Sequence, residues 1–192
     1  MSTTSETPLR KDAQRNREAI LAAARDLFAE RADIPMCEIA RHAGVGQATL
    51  YRNFPDCRNL VAALIVEQME QLEQLAAEHA GDPDAFFVLI RNLVETMARF
   101  HALGELARED ACLGSALDRR RRRLAELLQE PLRDAKAAGT LRRDLTLDDV
   151  FLMVSMLKGA VDRADGPAAR AVAASRALTL VLDGLAPSSA HT

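Results

Sequence analysis

The tightest constraint on this chain lies in one stretch, Glu38-Ile39-Ala40-Arg41-His42-Ala43-Gly44-Val45-Gly46-Gln47-Ala48-Thr49-Leu50-Tyr51-Arg52-Asn53-Phe54. Two helical pieces, about 35–43 and 47–53, flank a short turn that contains Gly44. Helices of this length are not stable alone in water. They persist only if their apolar sides are buried together, and Ile39, Ala40, Val45 and Leu50 supply such a seam. Ala40 and Ala43 are small where the two helices must come close, and Gly44 suits the left-handed residue that ends a helix. This is helix-turn-helix geometry.

The rest of the chain also reads as helix. Aromatic residues make up 4 %, strand-like alternation of β-branched residues is absent, and Ala, Leu, Arg and Glu dominate. A first helix is expected over about 12–31, with Ile20, Ala23, Ala24, Leu27 and Phe28 on one apolar stripe. Phe54-Pro55-Asp56 breaks the third helix, and Asp56 can cap a long fourth over about 57–79. Gly81-Asp82-Pro83 turns the chain into a fifth helix, about 84–102. Short helical pieces are expected around 104–114, then a long helix over about 115–138 ended by Gly139. Thr146 and Asp149 resemble a capping box opening a helix over about 147–163. The last helix covers about 168–184. The expected organisation is a flexible arm (1–11), a three-helix DNA-binding domain (12–56), a helical regulatory and dimerisation domain (57–185) and a flexible tail (186–192).

Composition sets outer limits. With 48 % apolar and 28 % charged residues the chain can bury a core. The polar start MSTTSETPLRKD is no signal peptide and no apolar run approaches the ~20 residues of a membrane span, so a cytoplasmic protein that does not enter the membrane is expected. Cys37, Cys57 and Cys112 are too dispersed for a disulfide framework or a zinc site. The net charge of −3 is unevenly spread. The first sixty residues carry nine Lys/Arg and eight Asp/Glu, and the remainder sixteen and twenty. Arg10, Lys11, Arg15 and Arg17 crowd the N-terminal end, which fits contact with a phosphate backbone or, equally simply, a solvated helix end.

The second short helix would offer Gln47, Thr49, Arg52 and Asn53 to a major groove. Gln and Asn suit adenine, Arg suits guanine, and the Thr methyl suits thymine. At this point the sequence resembles the tetracycline-repressor (TetR/AcrR) family. The likeness runs from Arg17-Glu18-Ala19-Ile20-Leu21-Ala22-Ala23-Ala24-Arg25-Asp26-Leu27-Phe28 through Ile39-Ala40 and Ala43-Gly44-Val45-Gly46 to Thr49-Leu50-Tyr51-Arg52-Asn53-Phe54-Pro55 and Leu60. It implies an all-α protein in which a helical ligand-binding and dimerisation domain succeeds the helix-turn-helix domain. It further implies that Tyr51 touches a phosphate, that Gln47, Ala48, Thr49 and Arg52 face bases or phosphates, and that Asn53 lies near the backbone. Arg10, Lys11 and Arg17 would add backbone contacts. Three positions depart from the family: Pro35 stands where a hydroxyl often caps the second helix, Gly46 where Ser is common, and Cys57 where Lys is common. Arg58 is placed to replace that lysine.

Beyond about residue 65 the resemblance is one of length, helicity and order. It implies a ligand cavity among the middle helices and a two-fold interface through the last two. Met69, Phe86, Ile90, Met97, Phe100, His101, Leu117 and Met153 are the candidate ligand contacts, and the expected effector is small and largely apolar. Plain core is the simpler reading of such a stripe. Val154, Leu157, Val161, Leu178, Val181 and Leu182 are the candidate interface, and the expected partner is a palindromic double-stranded operator. His101 and Glu105, four apart, are either a solvated pair or ligands for a polar group or metal. Arg119–Arg123 points all round a helix and reads as solvated surface whose stems cover apolar neighbours. No cofactor is expected: phosphate-binding Gly loops, nucleophile motifs and H-E-x-x-H are all missing from the sequence, which argues against an enzyme. A helical scaffold that binds no DNA would need no exposed Gln47, Tyr51 or Arg52.

Overall fold

The computed structural model describes residues 6–110 and 113–185, and among them nine helices and no strands. They are α1 (Glu6–Glu30), α2 (Met36–His42), α3 (Gln47–Asn53), α4 (Cys57–Glu78), α5 (Ala85–Arg99), α6 (His101–Glu109), α7 (Gly114–Ala137), α8 (Leu147–Asp162) and α9 (Pro167–Leu185). The tail expected over 186–192 lies outside the described residues, as does Cys112. None of the described helices is long and apolar enough to cross a membrane.

Two compact units are formed, Met1–Ile65 with Ala102–Gly114, and Val66–His101 with Ser115–Thr192. In the first, α1 packs on α2 and α3, which pack on each other. The expected stripe of α1 is buried throughout, from Ile20 to Phe28, and meets Ile39, Ala40, Leu50 and Phe54. Arg31 at the end of α1 holds Glu38 of α2 through two hydrogen bonds of 2.6 Å, fixing the shorter helix against the longer. α1 begins earlier than expected, so residues 6–11 are helical where a flexible arm was expected. Pro8 is no obstacle, because the N–H groups of a first turn have no helical partner.

The turn between α2 and α3 is made possible by Gly44, whose φ of +66° is open to glycine at little cost. Its N–H reaches Arg41 O at 3.2 Å, and the Val45 N–H reaches Ala40 O at 3.0 Å. These two bonds form a Schellman motif that satisfies the last carbonyls of α2. Gly139 ends α7 in the same way, with Gly139 N–H to Lys136 O and Thr140 N–H to Ala135 O.

In the second unit α5, α8 and α9 pack together around one apolar cluster that includes Phe86, Ile90, Val94, Leu128, Met153, Leu157, Val161 and Leu178. The capping box of α8 is complete: Asp149 N–H donates to Thr146 Oγ1, and Thr146 N–H donates to Asp149 Oδ2 at 2.8 Å. Two boundaries differ from expectation. The fifth helix stops at Arg99, and the chain bends at Phe100 (φ −104°, ψ 33°) into α6. No Gly or Pro marks that bend. The pieces expected around 104–114 form one helix from His101 to Glu109.

Candidate nucleic-acid interface

The first unit presents α3 as a reading helix. Leu50 is buried, and its neighbours are pushed outward by the helical period: Gln47, Ala48, Tyr51 and Arg52 are exposed, and Thr49 and Asn53 half-buried. Tyr51 is the clearest sign, a large aromatic left 48 % exposed with a hydroxyl at its tip. Arg52 is folded along its own helix, with Nε donating to Ala48 O at 3.2 Å and Nη2 to Thr49 Oγ1 at 3.0 Å. These exposed contacts can be exchanged for a guanine edge at small cost. Asn53 Nδ2 donates to Thr49 O at 2.8 Å, so this side chain closes the end of α3.

The basic residues are placed in different ways. Lys11 is exposed on α1. Arg17 is half-buried, its guanidinium 4.6 Å from the centre of the Phe54 ring, which steers it toward the end of α3 by a cation–π contact. Arg10 lies on α1, but its side chain is outside what the structure describes. Arg58, in the first turn of α4, donates from Nε to Asp110 Oδ2 at 2.5 Å while remaining 60 % exposed. Asp110 was not legible as its partner, because the two are 52 residues apart. Asp56 caps α4 by accepting the Asn59 N–H at 2.8 Å, and that bond above all holds its carboxyl below the ordinary range. Beside it the half-buried Cys57 thiol is pushed up, first by burial and then by Asp56 and Asp110, which makes it a poor nucleophile.

In the second unit the candidate ligand contacts separate into two groups. Met69, Phe86, Ile90 and Met153 are buried in the apolar cluster, and Met97 packs against it half-buried. Phe100 and Leu117 are half-buried, with the Arg99 guanidinium 5.2 Å from the Phe100 ring centre. His101 Nε2 lies 2.8 Å from Asp162 Oδ1, so its partner comes from α8.

The candidate interface residues also divide, and here the structure corrects the expectation. Leu157, Val161 and Leu178 are buried in the core of a single chain and have no surface to offer a second one. Val154, Val181 and Leu182 are half-buried against the same cluster. The apolar side chains that α8 and α9 expose are Leu152, Met156, Val172 and Leu180. Each helix carries two apolar rows, and periodicity alone does not say which row the chain uses for itself.

Comparison with known proteins agrees with this arrangement over both units. A family model described as bacterial regulatory proteins of the tetR family matches residues 20–64, and one described as the C-terminal domain of SbtR-like transcriptional regulators matches residues 82–187. A TetR transcription regulatory protein from Mycobacterium vanbaalenii is 32 % identical, with 93 % of this chain and 99 % of that one aligned at a TM-score of 0.67. A TetR transcriptional regulator from Streptomyces coelicolor is 29 % identical over 90 % of this chain and 99 % of its own, at a TM-score of 0.72. The ketosteroid transcriptional regulator of Mycobacterium tuberculosis, 21 % identical over 88 % of this chain and 94 % of its own, shares the fold at a TM-score of 0.58. No curated protein gives a significant match. The two family models span the reading helix and most of the regulatory helices, and the chain therefore belongs to the TetR family of bacterial regulatory proteins: it is a DNA-binding transcription factor and not an enzyme.

Proposed function

We propose that this regulator is a homodimeric repressor that occupies a palindromic operator and leaves it when a small, largely apolar effector binds the second unit. The observation that carries the DNA half is α3 itself. Gln47, Tyr51 and Arg52 stand exposed on a helix held rigid from beneath by buried Leu50 and Phe54. A scaffold helix would have no use for that set. Dimerisation is supported by the exposed Leu152, Met156, Val172 and Leu180. α8 and α9 are joined by a four-residue turn, 163–166, and so run antiparallel, which brings Met156 level with Val172 and Leu152 roughly level with Leu180. Two copies of this face would bury a continuous apolar strip about a two-fold axis.

Effector release requires an element that both states share. α4 is one unbroken helix from Cys57, beside the reading helix, to Glu78, and its middle residues Met69 and Leu72 belong to the apolar cluster. An effector that binds the DNA-free conformation better shifts the population away from the operator; equal affinity for both conformations would shift nothing. The test is release of a fluorescent operator, recovered by selection from genomic fragments, on titration with a broad library of apolar compounds. Dissociation by at least one chemical series supports the reading. Tight operator binding that no compound disturbs removes the sensing half and leaves a constitutive DNA-binding protein.

A further inference from the structure

The run Arg119–Arg123 is divided by folding. Arg119 donates to Ser115 Oγ at 3.4 Å, Arg121 stands 4.9 Å from the centre of the Phe151 ring, and Arg123 clasps Glu73 through Nε at 2.8 Å and Nη2 at 2.5 Å. Arg120 is placed otherwise. It comes one helical turn after buried Ala116 and one turn before buried Leu124, on the inward row of α7 that continues through Leu128 and Leu132. Burial strips water from its guanidinium and draws its pKa below the ordinary arginine value, and no acidic group acts to offset this. Among the described residues no hydrogen bond or ion pair meets it.

α4 repeats the pattern. Gln68 lies beside buried Met69 and one turn before buried Leu72, and its Nε2 is buried with no acceptor. The two helices meet through Arg123 and Glu73, and Met69, Leu72, Leu124 and Leu128 share one apolar cluster. The inward rows of α4 and α7 thus each carry one polar residue, and what both leave unanswered is a donor. A guanidinium out of water without a counter-charge is among the costliest groups a protein can hold, and an orphan amide N–H adds to the cost. A carboxylate answers both, since it accepts two parallel bonds from a guanidinium and has lone pairs left for an amide.

We propose that Arg120, helped by Gln68, is an anion-holding subsite of the regulatory unit, and that the effector is an apolar organic acid whose carboxylate sits there while its hydrocarbon body lies along the apolar rows. This rests on the effector-sensing reading above.

The test uses the full-length protein and two matched probe series, straight-chain and aryl carboxylic acids and their primary amides, which keep the shape and lose the charge. Calorimetric titration should show that the wild type prefers acids at least about tenfold. Arg120→Met should abolish that preference while leaving amide binding unchanged, and Gln68→Leu should weaken it. A second readout needs no ligand. Arg120→Met replaces an unpaired charge by an apolar side chain of similar length, so the ligand-free variant should melt at a higher temperature than the wild type. Equal binding of acids and amides to the wild type, a preference that survives Arg120→Met, or a lower melting temperature of that variant would each overturn the subsite while leaving effector sensing intact. If neither series binds and the apolar library releases no DNA, the sensing reading itself fails and takes the subsite with it.

Discussion

Replacing Leu152 and Met156 together by alanine separates the two apolar rows of α8. In one chain these side chains are 60 % and 62 % exposed, so about three-fifths of each remains to be covered by a partner. Full burial of a Leu or Met side chain is worth roughly 1.5–3 kcal/mol, which gives about 1–2 kcal/mol for each. Two positions in two copies sum to about 4–7 kcal/mol of dimer stability, or three to five decades in the dimer Kd. Alanine keeps part of this contact and the interface relaxes, so a hundredfold loss is a safe lower bound. Sedimentation velocity over a dilution series from about 50 μM to 0.1 μM reads it directly. The control is Leu157→Ala, one residue beyond Met156 and fully within the core. It should cost about 2–5 kcal/mol of folding stability by leaving a cavity, without a direct effect on association of the folded protein. The reasoning is refuted if the double variant, folded, dimerises with the wild-type Kd, or if Leu157→Ala dissociates the dimer while folding normally.

Other outcomes are expected from the first unit and from the caps. Asp110→Asn should free Arg58 for a phosphate, tightening DNA binding and steepening the slope of log K against log salt by about 0.9, one added contact; an unchanged slope would show that Arg58 stays off the DNA. Gly44→Ala should lower stability by about 1–2 kcal/mol in denaturant titration, purely through the left-handed backbone, because a Cβ there meets nothing within 4 Å. Asn at the same position should cost less. Lowering the pH should destabilise the fold through Asp56, Asp82, Asp144 and Asp149, all held below the ordinary carboxylate value by bonds made only in the folded state. Their contribution is complete above the unfolded pKa and is lost as pH falls through the folded one, so melting curves should be insensitive to these groups near neutrality and fall below about pH 4. Asp149→Asn should lower the neutral-pH melting temperature and flatten the acid decline.

Much of the fold was legible because local chemistry and burial agree in this chain. The Ile20–Phe28 stripe, Gly44, Asp56, Gly139 and the Thr146–Asp149 pair each carry a signal confined to a few neighbouring residues, and each holds the place its chemistry implies. The reading helix was legible for the same reason, since Leu50 between Tyr51 and Arg52 separates inside from outside within one turn. What sequence left open depends on contacts between distant segments. The bend at Phe100 has no Gly or Pro to announce it. Which row of α8 faces its own core depends on where α5 and α9 lie, so Leu157 and Val161 looked as available as Leu152 and Met156. The partner of Arg58 is set by α6 ending beside α4, and the isolation of Arg120 by which of five consecutive arginines turns inward. A run of identical residues carries no periodicity from which to choose.

Whether α3 reads duplex DNA is decided most directly by selection of duplexes from a random pool with the full-length protein, and then by anisotropy titration of the recovered duplex and a scrambled copy at about 0.15 M salt. The expected product is an imperfect palindrome whose half-sites lie about one helical turn or more apart. It should bind about a thousandfold or more tighter than the scrambled copy. Arg52→Ala, with its fold intact, should lose about 1–3 kcal/mol and relax the preference at one position of each half-site. A pool that yields no duplex preferred over the scrambled copy, or an Arg52→Ala variant with wild-type affinity and preference, would contradict the assignment of α3 as the reading helix.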